Sequence, residues 1–120
     1  MTSEDRTPIP VTSTGVDVSS VLTTPADTVT FTAAGNRDFL RITNGGSEMT
    51  VTVVCTTDCN IGLAKSAHNF VMTIPAVTGD KIYSIPNIQH YIDVTTGKVT
   101  MNFSRTSDVR LGIFEVPAYL

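Results

Sequence analysis

A chain of 120 residues holds one ordinary domain and is too short for two. Its apolar fraction of 41% suffices for a core, but charged residues make up only 16%, below the ~25% usual for soluble domains, and Thr and Ser take their place. The net charge of −3, with Lys and Arg scattered from Arg6 to Arg110, argues against nucleic-acid binding, and no apolar stretch nears the ~20 residues that cross a bilayer.

Residues 1–14 read as an extended N-terminal arm and residues 15–120 as the folded domain. The leading Met1-Thr-Ser-Glu-Asp-Arg-Thr7 is polar and lacks the apolar centre of a signal peptide, which leads to the expectation of a cytoplasmic chain. Pro8 and Pro10 bracket Ile9, fix φ and remove amide donors, so the chain from Thr7 to Val11 favours an extended course. Ile9 and Val11 are apolar side chains on a polar arm, and the arm is expected to dock on something.

Val16-Asp-Val18 and Ser20-Val-Leu22 read as two weak strand segments. A clear strand is expected over 27–32, with Val29 and Phe31 on one face. Residues 33–36 turn the chain into a strand over 38–43, with Leu40 and Ile42 on one face and Phe39 and Arg41 on the other. Asn44-Gly-Gly-Ser47 carries the Asn-Gly signal of a tight hairpin, so 49–54 is expected to return antiparallel beside 38–43.

Residues 55–67 are irregular in pattern. Strands follow over 69–74, ended by Pro75, and over 80–85, stopped by Pro86, with a turn over 77–80 between them. The segment 86–92 fits a turn of 3₁₀ helix, and 94–98 a tight turn with Gly97 in the left-handed region. The last strands are 98–104, with Val99, Met101 and Phe103 on one face, and 109–116, with Val109, Leu111 and Ile113 inward. The period of two and the spacing of about eight strands predict an all-β fold, a single antiparallel β-sandwich or jelly-roll-like barrel. The expected core is Val29, Phe31, Leu40, Ile42, Val51, Val53, Met72, Ile74, Ile82, Val99, Met101, Phe103, Leu111 and Ile113.

The residues that carry chemistry form no familiar constellation. Cys55 and Cys59 close too short a loop for a disulfide to add much, and with His68 and His90 they match no known zinc spacing; two reduced thiols are expected. His68 and His90 read as surface residues. The acids sit mostly at turns or strand ends, where Asp bonds backbone amides. Phosphate-cradling glycine motifs, a nucleophile elbow and calcium loops are absent from the sequence. The expectation is a non-enzyme with no catalytic residue, cofactor or metal.

Several framework motifs resemble those of tailed-phage head decoration, or capsid cement, proteins. The likeness runs from about residue 27 to residue 116. It includes Phe39-Leu-Arg-Ile-Thr-Asn-Gly-Gly46, Thr50-Val-Thr-Val53, Val71-Met-Thr-Ile-Pro-Ala76, Ile85-Pro86 with Tyr91, Gly97-Lys-Val-Thr100 and Val109-Arg-Leu-Gly-Ile113. The Cys55/Cys59 pair and the tail over 115–120 depart from it. The resemblance implies a structural virion protein that binds the capsid exterior, is assembled in the host cytoplasm, has the major capsid protein as partner, and associates as a homotrimer. Pro8, Ile9, Pro10 and Val11 on the arm, with Val116, Pro117, Tyr119 and Leu120 at the other terminus, are the expected interface residues. Two other roles fit the same fold logic: a tail or head–tail joining protein, and a carbohydrate- or cell-surface-binding β-module. Exposed aromatics near His90-Tyr91 or at Tyr119 would serve the last.

Overall fold

A computed structural model describes residues 2–33, 37–55, 69–85, 91–93 and 95–116. Its strands are β1 (Ser3–Arg6), β2 (Ile9–Pro10), β3 (Thr28–Thr32), β4 (Asp38–Asn44), β5 (Met49–Val53), β6 (Phe70–Ile74), β7 (Gly79–Tyr83), β8 (Lys98–Phe103) and β9 (Val109–Glu115), with one short helix, α1 (Val18–Val21). Two sheets pack as a sandwich. One has the order β1-β3-β8-β5-β6 and the other β2-β9-β4-β7. They do not close into a barrel.

The period of two does what the sequence requires. In β3, β4, β5 and β8, inward residues alternate with half-exposed or exposed ones, so each strand gives one face to the core. Phe31, Leu40, Ile42, Met72, Met101 and Leu111 are among the largest wholly buried side chains. Each contributes about 1.5–3 kcal/mol through the apolar surface it removes from water. The expected core is buried except for Ile82, which is 66% exposed. The register explains this. Ile82 lies opposite Arg41 and so shares the outer face, while Lys81 and Tyr83 take the core-side positions opposite Ile42 and Leu40.

Three further expectations are corrected. The first is the hairpin at Asn44-Gly-Gly-Ser47. β4 pairs with β7 and β9, and β5 pairs with β6 and β8, so the connection crosses from one sheet to the other. Neither Gly45 nor Gly46 adopts the positive φ that a tight hairpin turn would need. The buried Asn44 side chain organises the crossing. Its Nδ2 donates to Ser47 O (2.7 Å) and Pro75 O (3.1 Å), and its Oδ1 accepts from Gly46 N (3.1 Å) and from the Arg105 guanidinium. Gly97, by contrast, takes the expected left-handed conformation, with φ 73°.

The second concerns residues 16–22, which hold a single helical turn where two strand segments were expected. Ser20 donates to Asp17 O through both its amide (3.2 Å) and its hydroxyl (2.9 Å), and Leu22 N reaches Val18 O at 3.2 Å. These local bonds outcompete a ladder. The third is that the strands are not all antiparallel: β1 runs parallel to β3, and β2 parallel to β9. Residues 34–36, 56–68 and 86–90, with the turn, irregular and 3₁₀ segments expected there, lie outside the described residues.

The parallel strands come from the segment expected to be an arm. It is extended, and it lies along an edge of each sheet in turn. Glu4 sits opposite Val29 and Arg6 opposite Phe31, so both charged side chains occupy core-side positions of β1. Arg6 donates to Glu4 (Nε to Oε1, 3.1 Å), to Leu111 O (2.6 Å), and to Thr23 O and Thr24 O (3.3 and 3.2 Å). Glu4 Oε2 accepts from Ala26 N at 2.6 Å. The Arg6 side chain is only 13% exposed, and its guanidinium ties β1 of one sheet to β9 of the other.

Arg6→Ala should therefore destabilise the fold by about 2–4 kcal/mol, because it removes the cation beside the half-buried Glu4 carboxylate and the donor of the Thr24 carbonyl. Arg6→Lys should recover less than half of this, since an ammonium lacks the planar fork. Urea unfolding of the three proteins measures both. Equal midpoints for wild type and Arg6→Ala would show that the staple is dispensable.

Candidate interaction surfaces

Three surfaces could carry a binding function. The first is the outer face of the five-stranded sheet. Thr30 lies opposite Thr100, Thr28 opposite Asn102, Thr52 between Asn102 and Val71, and Thr50 opposite Thr73. Alternation places all of them outward, and Thr28 Oγ1 bonds Asn102 Oδ1 at 2.9 Å. The centre of this face carries hydroxyls and an amide and no charge. Asp5 and Lys98 flank it on the β1 side and neutralise each other at 2.6 Å. The bonds from Lys98, and then from Thr30 (2.9 Å), hold the Asp5 carboxyl below the usual carboxylate range.

The second surface gathers residues 9–11 and Val116. Ile9 lies opposite Phe114 and Pro10 opposite Glu115, and Val11 N donates to Glu115 O at 2.9 Å. Val116 N donates to Arg37 O at 2.9 Å, and Arg37 Nη1 returns to Val116 O at 3.3 Å. Ile9, Pro10, Val11 and Val116 are thus brought to one end of the four-stranded sheet. Pro10 is exposed and Val116 is 46% exposed, Ile9 and Val11 are half-buried, and Pro8 is buried and anchors the segment. Pro117, Tyr119 and Leu120 lie outside the described residues. Beneath this patch Phe39 and Phe114 stack at 5.2 Å between centroids, 18° from parallel, and Leu22 lies against the Cβ-free surface of Gly112.

The third is an open polar groove of about 600 Å³, lined in part by Thr24, Thr43, Thr78, Asp80, Asp108 and Arg110. Two of its residues have positive φ without being glycine: Val77 at 65° and Asp108 at 59°. Val77 is a β-branched residue in a region that sterics disfavour, at the centre of a γ-turn closed by Thr78 N to Ala76 O (2.7 Å). Two residues further on, a Cβ at Gly79 would sit 2.3 Å from Pro75 O, so glycine is required there for close approach. On the same strand Asp80 accepts two bonds from Arg41, at 3.0 and 2.8 Å, and these hold its carboxyl below the ordinary value against the opposing effect of burial.

Among the described residues no group of three or more His, Cys, Asp and Glu side chains converges as a metal cage. Cys55 is buried, and beside it Tyr91 has its phenol raised above the usual range, first by burial and then by Cys55. Cys59, His68 and His90 lie outside the described residues. The Thr face was visible in the sequence as alternating Thr. The meeting of residues 9–11 with Val116 was not, because a two-residue strand containing proline leaves no periodic signal. No family model, curated protein or solved structure matches the chain.

Replacing Val77 with Gly should raise stability by up to about 1 kcal/mol, because relief of the positive φ outweighs the entropy glycine adds to the unfolded chain. Thermal melts measure this, and a loss of stability would show that the turn is unstrained. For Asp80 the folded carboxyl titrates below its unfolded value near 3.8. Its contribution is therefore present above that pH and disappears as pH falls through the folded value. Because both partners are exposed to solvent, Asp80→Asn should cost no more than about 1 kcal/mol at neutral pH, and nothing once the carboxylate is protonated. Paired unfolding curves at neutral and strongly acidic pH test the sign.

Proposed function

We propose that this chain is a structural virion subunit, a decoration or cement protein that binds the exterior of a phage capsid and stabilises the shell, with the major capsid protein as its partner and a homotrimer as its assembly. The observation that carries the reading is the uncharged, hydroxyl-covered outer face of the five-stranded sheet. Charge is depleted at the centre of protein interfaces because each buried ion must be desolvated, and hydroxyls meet backbone and side-chain groups at lower cost. The motif resemblance over 27–116 supports the same reading, and so does a chain in which 16% charged residues leave Thr to keep the surface wet.

Mechanically, such a subunit adds contacts across the boundaries of shell proteins and stabilises the assembled state by mass action. Many copies on a lattice act together, so no single contact need be strong. In this reading Pro10 and Val116, with Pro8, Ile9, Val11, Pro117, Tyr119 and Leu120 around them, carry contacts between neighbouring subunits. The Thr face meets the shell. Pro8 then contributes by holding the segment in place.

The test is sedimentation of the purified protein with assembled heads. Wild type should co-sediment at a fixed ratio to the shell protein. Thr52→Glu with Thr100→Glu should lower occupancy by about tenfold or more, at an unchanged melting temperature, since a charge buried there would lack a partner. Val116→Asp should weaken occupancy less. Absence of wild-type binding to heads would overturn the reading, whereas binding to tails alone would favour the joining role, and binding to a glycan array the carbohydrate role.

A further inference from the structure

Among the described residues the sandwich has four edge strands, and three of them carry devices that prevent pairing with another chain. β1 presents Glu4, Asp5 and Arg6, with Glu4 and Arg6 turned inward. β2 has two residues, one of them proline. β7 carries Asp80 and an exposed Lys81 at a core-side position. Inward charges, short strands and proline all deter edge-to-edge association. The fourth edge, β6, is Phe70-Val-Met-Thr-Ile74, five residues without a charge or a proline. Its Val71 is 53% exposed, although it lies on a sheet edge.

The hydrogen-bond pattern fixes which groups β6 offers. Thr50 of β5 turns its carbonyl towards β8, where Ser104 N bonds it at 2.9 Å, so its β6 partner Thr73 lies in a non-bonded pair. The amides and carbonyls of Val71 and Thr73 therefore point away from the sheet. The Tyr83 hydroxyl reaches one of these groups, Thr73 O, at 3.0 Å, and a carbonyl retains a second lone pair. Among the described residues no strand pairs with this side of β6.

We infer that β6 pairs antiparallel with β6 of a second copy of this chain, with Met72 on the two-fold axis, joining two five-stranded sheets edge to edge. The strand is complementary to itself in this register. Val71 faces Thr73 of the partner and Thr73 faces its Val71, each in a hydrogen-bonded pair, and Phe70 faces Ile74. No like charges meet. The same operation on β7 would set Lys81 against Lys81, a repulsive pairing. A five-residue pairing is small against the ~1,200–2,000 Å² of a stable free dimer, so the contact forms at high local concentration. Such a two-fold contact can link neighbouring oligomers as readily as single chains.

Two cysteines read the register directly. Residues directly opposite in a hydrogen-bonded antiparallel pair have Cα atoms about 5.5 Å apart, within disulfide range, whereas Val71 and its own symmetry mate are too far apart. A Val71→Cys/Thr73→Cys double variant should form covalent dimers under mild oxidation, with the 71–73 link found between chains by peptide mass mapping. Either single variant should form no 71–71 or 73–73 link. In the wild-type protein, the Val71 and Thr73 amides should exchange about tenfold more slowly as concentration rises from micromolar to millimolar, and Val71→Lys should abolish this while melting as wild type does. A 71–71 link would overturn the antiparallel register. Concentration-independent exchange, or dimers that persist in Val71→Lys, would overturn the contact itself.

Discussion

The fold depends on one arginine in an unusual position. Arg6 projects from an edge strand towards the core side, where an aliphatic residue would be the ordinary choice, and donates to the Leu111 carbonyl of the opposite sheet and to the Thr23 and Thr24 carbonyls of the connection before β3. The geometry makes this workable. β1 lies at the rim of the sandwich, so the side chain keeps some contact with water, and each guanidinium nitrogen donates to an acceptor. The staple closes one side of the sandwich, fixes the segment over 23–26 between the sheets, and prevents β1 from serving as a template for another chain.

A staple is needed because the chain seldom stays in one sheet. Apart from β5 to β6, every successive pair of strands lies in different sheets. Local hairpins therefore contribute little, and most ladders join strands distant in sequence, whose closure costs chain entropy before contacts compensate. The crossings need their own anchors. Asn44 supplies one at the end opposite residues 9–11 and Val116, binding the β4–β5 crossing to the turn after β6 and, through Arg105, to the connection before β9. An apolar residue at position 44 would fill the same space but leave these carbonyls without a donor.

The framework was legible in the sequence where the inward residues are apolar. Val29 with Phe31, Leu40 with Ile42, and Val99 with Met101 each announce a strand and its buried face. It was illegible where the inward residues are charged: Ser3-Glu-Asp-Arg6 has the geometry of a strand and none of its hydrophobic period. Asn44-Gly45 misled for a related reason. The dipeptide is permissive of a hairpin but does not compel one, and a side chain that bonds three other segments is worth more than a tight turn. Ile82 misled through parity, since β7 offers only one strongly apolar aliphatic residue and the register with β4 places it outside. Of the candidate surfaces, the Thr face could be read from alternation alone. The meeting of Ile9 to Val11 with Val116 required the topology.

These features share a logic about where charge is placed. The chain has few charges, and it uses several of them at strand edges: Glu4 and Arg6 inside the rim, Lys81 on β7, and the Asp5–Lys98 pair beside the Thr face. Each raises the cost of an unwanted sheet-to-sheet contact. What remains uncharged is a connected surface, the Thr-covered face running from β3 through β8 and β5 to the β6 edge. In a protein of low overall charge, an even scatter would have protected every surface weakly. Concentrating charge at two edges, β1 and β7, instead leaves one face and the β6 edge able to lose water at little electrostatic cost.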